Sequence, residues 1–171
     1  MPYAAHRSGY RSGVHLLWSP VDADADEVLV AQVGARYDGT VLTGRLCGRC
    51  GSGGHGRPWA RAGLLDVPVS LARAGAYLVT VVAEPGTRAI GVDVEMLGRD
   101  WPLDVLLAPG ERVEDDDAAA ALWVAKEAIL KADGLGLVRP PSELVVADFD
   151  GELTRPDAPA GYLAALALRR Q

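Results

Sequence analysis

Gly91-Val92-Asp93-Val94-Glu95 alternates small or apolar residues with acidic ones, and this alternation predicts a β-strand. Successive side chains of a strand point to opposite faces, so Val92 and Val94 would enter the core. Asp93 and Glu95 would then lie side by side on the other face, where Gly91 leaves room beside them.

Two neighbouring carboxylates on one strand face repel each other unless a cation lies between them. Hard oxygen ligands favour Mg²⁺, which usually keeps some water and takes substrate phosphates as further ligands. The strand therefore indicates a magnesium site at Asp93 and Glu95. The alternative is an ordinary solvated strand face, because exposed acidic pairs are common.

A second stretch, Trp123-Val124-Ala125-Lys126-Glu127-Ala128-Ile129-Leu130-Lys131, is typical of a helix. Trp123, Glu127 and Lys131 are spaced i, i+4 and i+8, so they share one helix face, and Lys126 projects about 100° away from Glu127. Glu127 could supply a third carboxylate to the metal site, and the lysines could hold phosphate oxygens. The alternative is an amphipathic helix with an exposed Glu–Lys pair and a core tryptophan.

Taken together, the two stretches resemble the paired signature of the 4′-phosphopantetheinyl transferase superfamily. The first motif begins at position 91, far from the N-terminus, which resembles the longer Sfp type. That type implies an α+β fold, a pseudo-dimer of two similar α+β halves. We place the N-terminal half at 1–88 and the half that carries both motifs at 89–171.

The resemblance also implies the chemistry of each matching position. Asp93, Glu95 and Glu127 would bind Mg²⁺, and Lys126 and Lys131 would contact phosphates of coenzyme A. Glu127 and Lys131 would be the catalytic residues, with Glu127 as base for the incoming serine. The reaction implied is transfer of 4′-phosphopantetheine from coenzyme A to a serine of an apo acyl or peptidyl carrier protein, releasing 3′,5′-ADP.

Two shorter stretches extend the resemblance towards the N-terminus. His55-Gly56-Arg57-Pro58 is similar to a Gly-Lys/Arg-Pro element of this family, which implies that Arg57 contacts a coenzyme A phosphate. Ser70 and Arg73 lie where the family often has Ser-Leu-Ser-His-Ser, and the resemblance implies that they lie near the 3′-phosphate. An ordinary Gly-Pro turn with a solvated Arg57 is the alternative for the first stretch.

The segment 21–41 is shorter than its counterpart in the longer family type and carries little positive charge. This difference leaves a second hypothesis, a catalytically impaired homologue that binds coenzyme A or a carrier protein. The three acidic positions favour the enzyme, because a protein that only binds has no need of a metal site built from three carboxylates.

Cys47, Cys50 and His55 have the spacing of a zinc site, Cys-x₂-Cys followed by a histidine. They supply three ligands, so a structural zinc would need a fourth. Reduced thiols in a tight turn are the alternative for the cysteines. A small zinc-stabilised interaction module is a further hypothesis, but it leaves both C-terminal motifs unexplained.

Composition limits the remaining classes of function. The 171 residues are 49% hydrophobic, which is enough for a packed core, and the net charge of −6 argues against a nucleic-acid-binding protein. No apolar run is long enough to cross a membrane, so we expect a soluble cytoplasmic protein. A pseudo-dimer needs no second copy, so we expect a monomer.

Local patterns predict the other elements. A turn at Glu84-Pro85-Gly86-Thr87 would join the strands 77–83 and 90–95 into a hairpin. The final segment 162–168 favours a strand but also suits a helix. The remaining predictions are strands at 14–18, about 67–71 and 144–149, helices at 22–33 and 118–132, and a loop at 44–58.

Overall fold

The computed structural model describes residues 7–10, 13–134 and 138–170, with the backbone alone at 7–10. Its helices are α1 (Ala25–Gly34), α2 (Leu103–Leu106) and α3 (Asp116–Ala132), with short 3₁₀ helices at Pro141–Glu143 and Val146–Asp148. The strands are β1 (Arg7–Tyr10), β2 (Val14–Pro20), β3 (Val41–Leu46), β4 (Arg57–Ala62), β5 (Leu65–Val67), β6 (Val69–Ala74), β7 (Tyr77–Ala83), β8 (Thr87–Met96), β9 (Glu152–Thr154) and β10 (Tyr162–Arg170).

These strands form three antiparallel sheets. The first has the order β1-β2-β7-β6, the second β8-β10-β9 and the third β3-β4-β5. The fold is therefore a mixed α+β fold, as the sequence predicts.

The first two sheets share one buried core. Leu16 and Val81 of the first sheet belong to the same buried cluster as Val92 and Leu166 of the second. The outer face of the first sheet is covered by α1, and the outer face of the second by α3. The site-bearing strand β8 therefore has the shared core on one side and α3 on the other.

Capping groups fix both ends of α3. The Asp115 side chain accepts a hydrogen bond from the Ala118 amide at 2.7 Å, which satisfies one of the free N–H groups of the first turn. Gly134 follows the helix with φ +75°, a conformation that glycine adopts without strain. The helix predicted from the sequence at 118–132 is confirmed, with two more residues at its start.

Close approach of two backbones brings α3 against β8. A Cβ atom at Gly91 would lie 2.0 Å from the Ala128 carbonyl oxygen and 2.5 Å from the Ala132 amide nitrogen. Ala165 and Ala167, opposite Asp93 and Gly91 on β10, are also small and buried against the helix. Only this proximity lets the acidic face of β8 meet side chains of α3.

The predicted hairpin of 77–83 with 90–95 is wrong, although both strands exist. In the structure β7 pairs with β2 and β6, whereas β8 pairs with β10. The Glu84–Gly86 turn instead carries the chain from the first sheet to the second. Turn residues mark a change of direction, but they do not specify which strand becomes the partner.

Three further sequence predictions are corrected or settled by the structure. The apolar stretch 144–149 is not a strand: it includes a 3₁₀ helix at Val146–Asp148. The loop predicted at 44–58 is shorter, because β3 continues to Leu46 and β4 begins at Arg57. The last segment is a strand, since its alternate side chains enter the two cores on either side of the second sheet.

The predicted boundary between halves, after residue 88, falls two residues inside β8. Each half contributes one main sheet and one helix on the outer face of that sheet. The closer similarity that a pseudo-dimer requires stays a prediction. Among the described residues, no helix combines the length and apolar character needed to span a bilayer.

Replacing Gly91 by alanine should separate α3 from β8, because the added methyl group would overlap the α3 backbone. We expect Gly91→Ala to lower the free energy of unfolding by about 1–3 kcal/mol or more, measured by urea denaturation. Gly48→Ala is the matched control, since a Cβ atom there meets nothing within 4 Å. Equal stability of the two variants would contradict the close approach.

Candidate functional site

Four side chains from two elements form the candidate site. Asp93 and Glu95 project from β8 towards α3, and α3 supplies Glu127 and Lys131. The Lys131 Nζ atom donates a hydrogen bond to Asp93 Oδ1 at 2.6 Å. Asp93 and Glu127 are only 5% and 6% exposed, so the site lies in the seam between the strand and the helix.

One oxygen of each buried carboxylate lacks a partner. Asp93 Oδ2 and Glu127 Oε1 are both buried without a hydrogen bond to any other group of the protein. An unpaired buried polar atom costs about 1–3 kcal/mol, and more when the group is charged. The two unpaired oxygens lie in a site that holds one ammonium, that of Lys131. They indicate that the site could bind a further cation.

Electrostatics of the site point in the same direction. Burial raises the pKa of Asp93 to about 6, and the negative charge of Glu95 adds to the rise while Lys131 opposes it. Burial also raises the pKa of Glu127 to about 7, with further contributions from Asp93 and Glu95 and an opposing one from Lys131. One ammonium therefore offsets only part of the repulsion among three carboxylates.

These donors fit Mg²⁺ in chemistry. Asp93, Glu95 and Glu127 offer hard carboxylate oxygens, and two of those oxygens are unpaired. Among the described residues, the one trio of possible ligand atoms within 4.8 Å of one another is elsewhere, at Cys47, Cys50 and His55. The Lys131 ammonium contacts Asp93 Oδ1, an oxygen of one of these carboxylates.

Sequence reasoning missed an arginine and a tryptophan beside Glu95. Arg99 donates to Glu95 Oε2 at 2.9 Å, and its guanidinium lies 4.6 Å from the ring centre of Trp101. Trp101 in turn packs against Trp123 of α3, with ring centres 5.5 Å apart. These contacts join the end of β8 to the middle of α3, a proximity that no local pattern encodes.

Lys126 does not lie with the other site residues. Its side chain is fully buried, and Nζ donates to the carbonyl oxygens of Leu106 at 2.7 Å and Pro141 at 3.1 Å, and to the Glu111 carboxylate. All three ammonium donors are used within the protein. This placement differs from the predicted phosphate contact, and it follows from the turn of about 100° that separates Lys126 from Glu127 on the helix.

Ser70 and Arg73 also bind other parts of the protein. Ser70 is buried between the two main sheets, where its Oγ accepts a hydrogen bond from the Val92 amide at 3.1 Å. Arg73 donates to the carbonyl oxygens of Val21 at 3.2 Å and Ala23 at 3.1 Å, just before α1. The structure thus gives both residues contacts within the fold and does not bring them to the carboxylates.

Arg57 lies beside the C-terminal end of α3. It begins β4, and its Nη1 atom is 2.7 Å from the position that a Cβ atom of Gly134 would occupy. Since Gly134 follows the last turn of α3, which contains Lys131, Arg57 adds positive charge near that end of the site. Its side chain is exposed, and a phosphate could reach it from solvent.

Cys47, Cys50 and His55 form a separate cluster at the tip of the β3–β4 hairpin. Cys50 Sγ lies 3.5 Å from His55 Nε2, and both cysteines are free thiols. Hydrogen bonds from the backbone amides of Cys50 and Arg49 to the Cys47 sulfur, with smaller contributions from the Cys50 and His55 side chains, lower the pKa of Cys47 to about 7.

A groove of about 370 Å³ lies along a different side of α3. Ala118, Ala121, Leu122 and Ala125 form its helical wall, at a spacing that places them opposite Glu127. None of the four site residues on β8 and α3 lines this groove. The groove is therefore separate from the acidic site.

Residues 89–164 match the family model of the 4′-phosphopantetheinyl transferase superfamily. The match covers 76 of the 171 residues, and over that part of the chain it confirms the resemblance seen in the sequence. The matched region includes all four residues of the candidate site. No curated protein matches the chain.

Removal of the Lys126 ammonium should destabilise the fold. Lys126→Met would remove the ammonium from the Glu111 carboxylate and from two carbonyl groups, and we expect a loss of about 3–5 kcal/mol in urea denaturation at neutral pH. The double variant with Glu111→Leu should recover part of that loss. An unfolding free energy of Lys126→Met equal to wild type would contradict the structural role.

Proposed function

We propose that this protein transfers 4′-phosphopantetheine from coenzyme A to a serine hydroxyl of an apo carrier protein and releases 3′,5′-ADP. The observation that carries the proposal is the meeting of Asp93 and Glu95 on β8 with Glu127 and Lys131 on α3, inside the region matched to the transferase superfamily. This is the activity of a holo-[acyl-carrier-protein] synthase.

Asp93, Glu95 and Glu127 would hold Mg²⁺. The two unpaired buried oxygens, Asp93 Oδ2 and Glu127 Oε1, support this role. When bound, the ion would offset the negative charge of the coenzyme A pyrophosphate and of the departing phosphate. Lys131 would then be free to leave Asp93, since the cation would replace its contact.

The transfer forms one phosphorus–oxygen bond and breaks another. The carrier serine oxygen attacks the β-phosphorus of coenzyme A, and the bond from that phosphorus to the oxygen of the 3′,5′-ADP leaving group breaks. The serine proton passes to Glu127, directly or through water. The Lys131 ammonium would offset the charge that develops on the leaving phosphate.

Arg57 would bind a phosphate of coenzyme A at the C-terminal end of α3. Its exposed guanidinium beside Gly134 supports this contact, and a guanidinium can donate two hydrogen bonds to one phosphate. Lys126, Ser70 and Arg73 have partners within the protein, so in this proposal they shape the fold around the site.

The carrier would be an acyl or peptidyl carrier protein of fatty-acid, polyketide or nonribosomal peptide synthesis. A cytoplasmic location, a monomeric state and the Sfp-type subclass remain predictions from the sequence.

The proposed activity is tested by incubating the protein with an apo carrier protein, coenzyme A and Mg²⁺, and measuring the intact mass of the carrier. We expect a gain of one phosphopantetheinyl group, which disappears when EDTA replaces Mg²⁺. Asp93→Asn should lower the rate by about 100-fold or more, because a metal ligand would be lost. The matched control is Glu114→Gln, an exposed acid in the loop before α3.

Absence of transfer to both acyl and peptidyl carriers would contradict the enzyme hypothesis. If coenzyme A still bound under those conditions, the result would support the alternative, a homologue that binds coenzyme A or the carrier without catalysis. Full activity of Asp93→Asn would contradict the assignment of the metal ligands.

Arg57→Ala should weaken coenzyme A binding by about 10- to 100-fold in isothermal titration calorimetry, the effect of one lost hydrogen bond to a charged group. Arg61→Ala is the matched control, because Arg61 is exposed on the same strand but bonded to Asp66. The phosphate contact is disproved if both variants keep the wild-type affinity.

A further inference from the structure

The tip of the β3–β4 hairpin brings together three side chains that bind soft metal ions. The sulfur atoms of Cys47 and Cys50 and a ring nitrogen of His55 all lie within 4.8 Å of one another. The carboxylates of the candidate active site belong to other elements, β8 and α3. The hairpin tip is therefore a second cluster with its own donor chemistry.

The three side chains are open to a metal ion from solvent. Cys47 is half-buried, Cys50 and His55 are exposed, and both cysteines are free thiols. Cys50 Sγ lies 3.5 Å from His55 Nε2, so a sulfur and a ring nitrogen already face each other. Thiolate is the form of cysteine that ligates a metal.

Tight turns hold the three ligands in place. The Gly51 amide donates to the Cys47 carbonyl at 2.8 Å, the Cys47 amide donates to the Ser52 carbonyl at 3.0 Å, and Gly51 has φ +71°. A Cβ atom at Gly56 would lie 2.6 Å from the Cys47 Cα, so only glycine lets the chain return past Cys47 directly after His55.

We propose that this hairpin tip binds one zinc ion through the thiolates of Cys47 and Cys50 and the imidazole of His55. Two sulfurs and one nitrogen suit zinc and do not suit magnesium, which prefers oxygen. Tetrahedral zinc needs one further ligand, and among the described residues no other histidine, cysteine, aspartate or glutamate joins the cluster. The cysteine thiols, and the histidine where it is in its imidazolium form, lose a proton on binding, so uptake of the ion releases protons.

Zinc at this position would also order the start of β4. Arg57 is two residues beyond His55, and its guanidinium reaches Gly134 at the end of α3. The ion would cross-link the ten-residue segment 47–56 that joins β3 to β4. It would thereby hold the first residues of β4 in one orientation. The zinc site itself does not depend on the proposed transferase activity, and its test needs neither coenzyme A nor a carrier.

The test measures metal content and coordination on the full chain. Protein purified with supplementary zinc and passed into metal-free buffer should hold about one zinc per chain by elemental analysis. After chelation, titration with Co²⁺ should give the sulfur-to-cobalt charge-transfer band and the visible bands of a tetrahedral site. Cys47→Ser, Cys50→Ser and His55→Ala should each weaken metal binding by about tenfold or more.

Arg49→Ala is the matched control, because it lies between the two cysteines and removes only an exposed side chain that is not a proposed ligand. It should retain wild-type zinc content. Circular dichroism of each variant checks that the fold persists, and the Co²⁺ titration of wild-type protein tests the site even if a variant fails to fold.

Three results would overturn the proposal. The first is metal-free wild-type protein whose thiols stay reduced and give no Co²⁺ spectrum. The second is a Cys47–Cys50 disulfide in protein prepared under reducing conditions with zinc present. The third is zinc that persists in all three ligand variants, which would place the ion elsewhere.

Discussion

Close packing of the α3 backbone on β8 is the constraint on which the rest of the structure depends. A side chain at Gly91 would overlap two backbone atoms of the helix. On the neighbouring strand, the small side chains of Ala165 and Ala167 also allow the helix to pack closely. That proximity places the Asp93 carboxylate against the Lys131 ammonium and near Glu127. The charged groups are thereby removed from water, which is why they perturb one another so strongly.

The sequence predicted those parts of the fold and site whose signals are local. Alternation along β8 separates the core-facing valines from Asp93 and Glu95, and the i, i+4 spacing on α3 aligns Glu127 with Lys131. Periodicity gives the face of an element directly. Periodicity does not say that this strand packs against this helix; the resemblance to the transferase superfamily implied that the two motifs share one site.

Parts that depend on distant partners were not predictable in this way. The turn at Glu84–Gly86 is evident in the sequence, but the choice of β10 as the partner of β8 is a property of the whole fold. Lys126 was expected at the site, yet the structure surrounds it with Leu106, Pro141 and Glu111, each 15 or 20 residues away along the chain. No local sequence pattern identifies acceptors that are so far from Lys126 along the chain.

The core shared by the two main sheets makes each half dependent on the other. Among the described residues, the two sheets bury most of this core against each other, with Val81 from one side and Val92 from the other. Neither half can bury its share of this core alone, so the chain should unfold as one cooperative unit. A chain cut within the Glu84–Gly86 turn would yield two fragments that remain poorly folded apart and regain structure by associating when mixed.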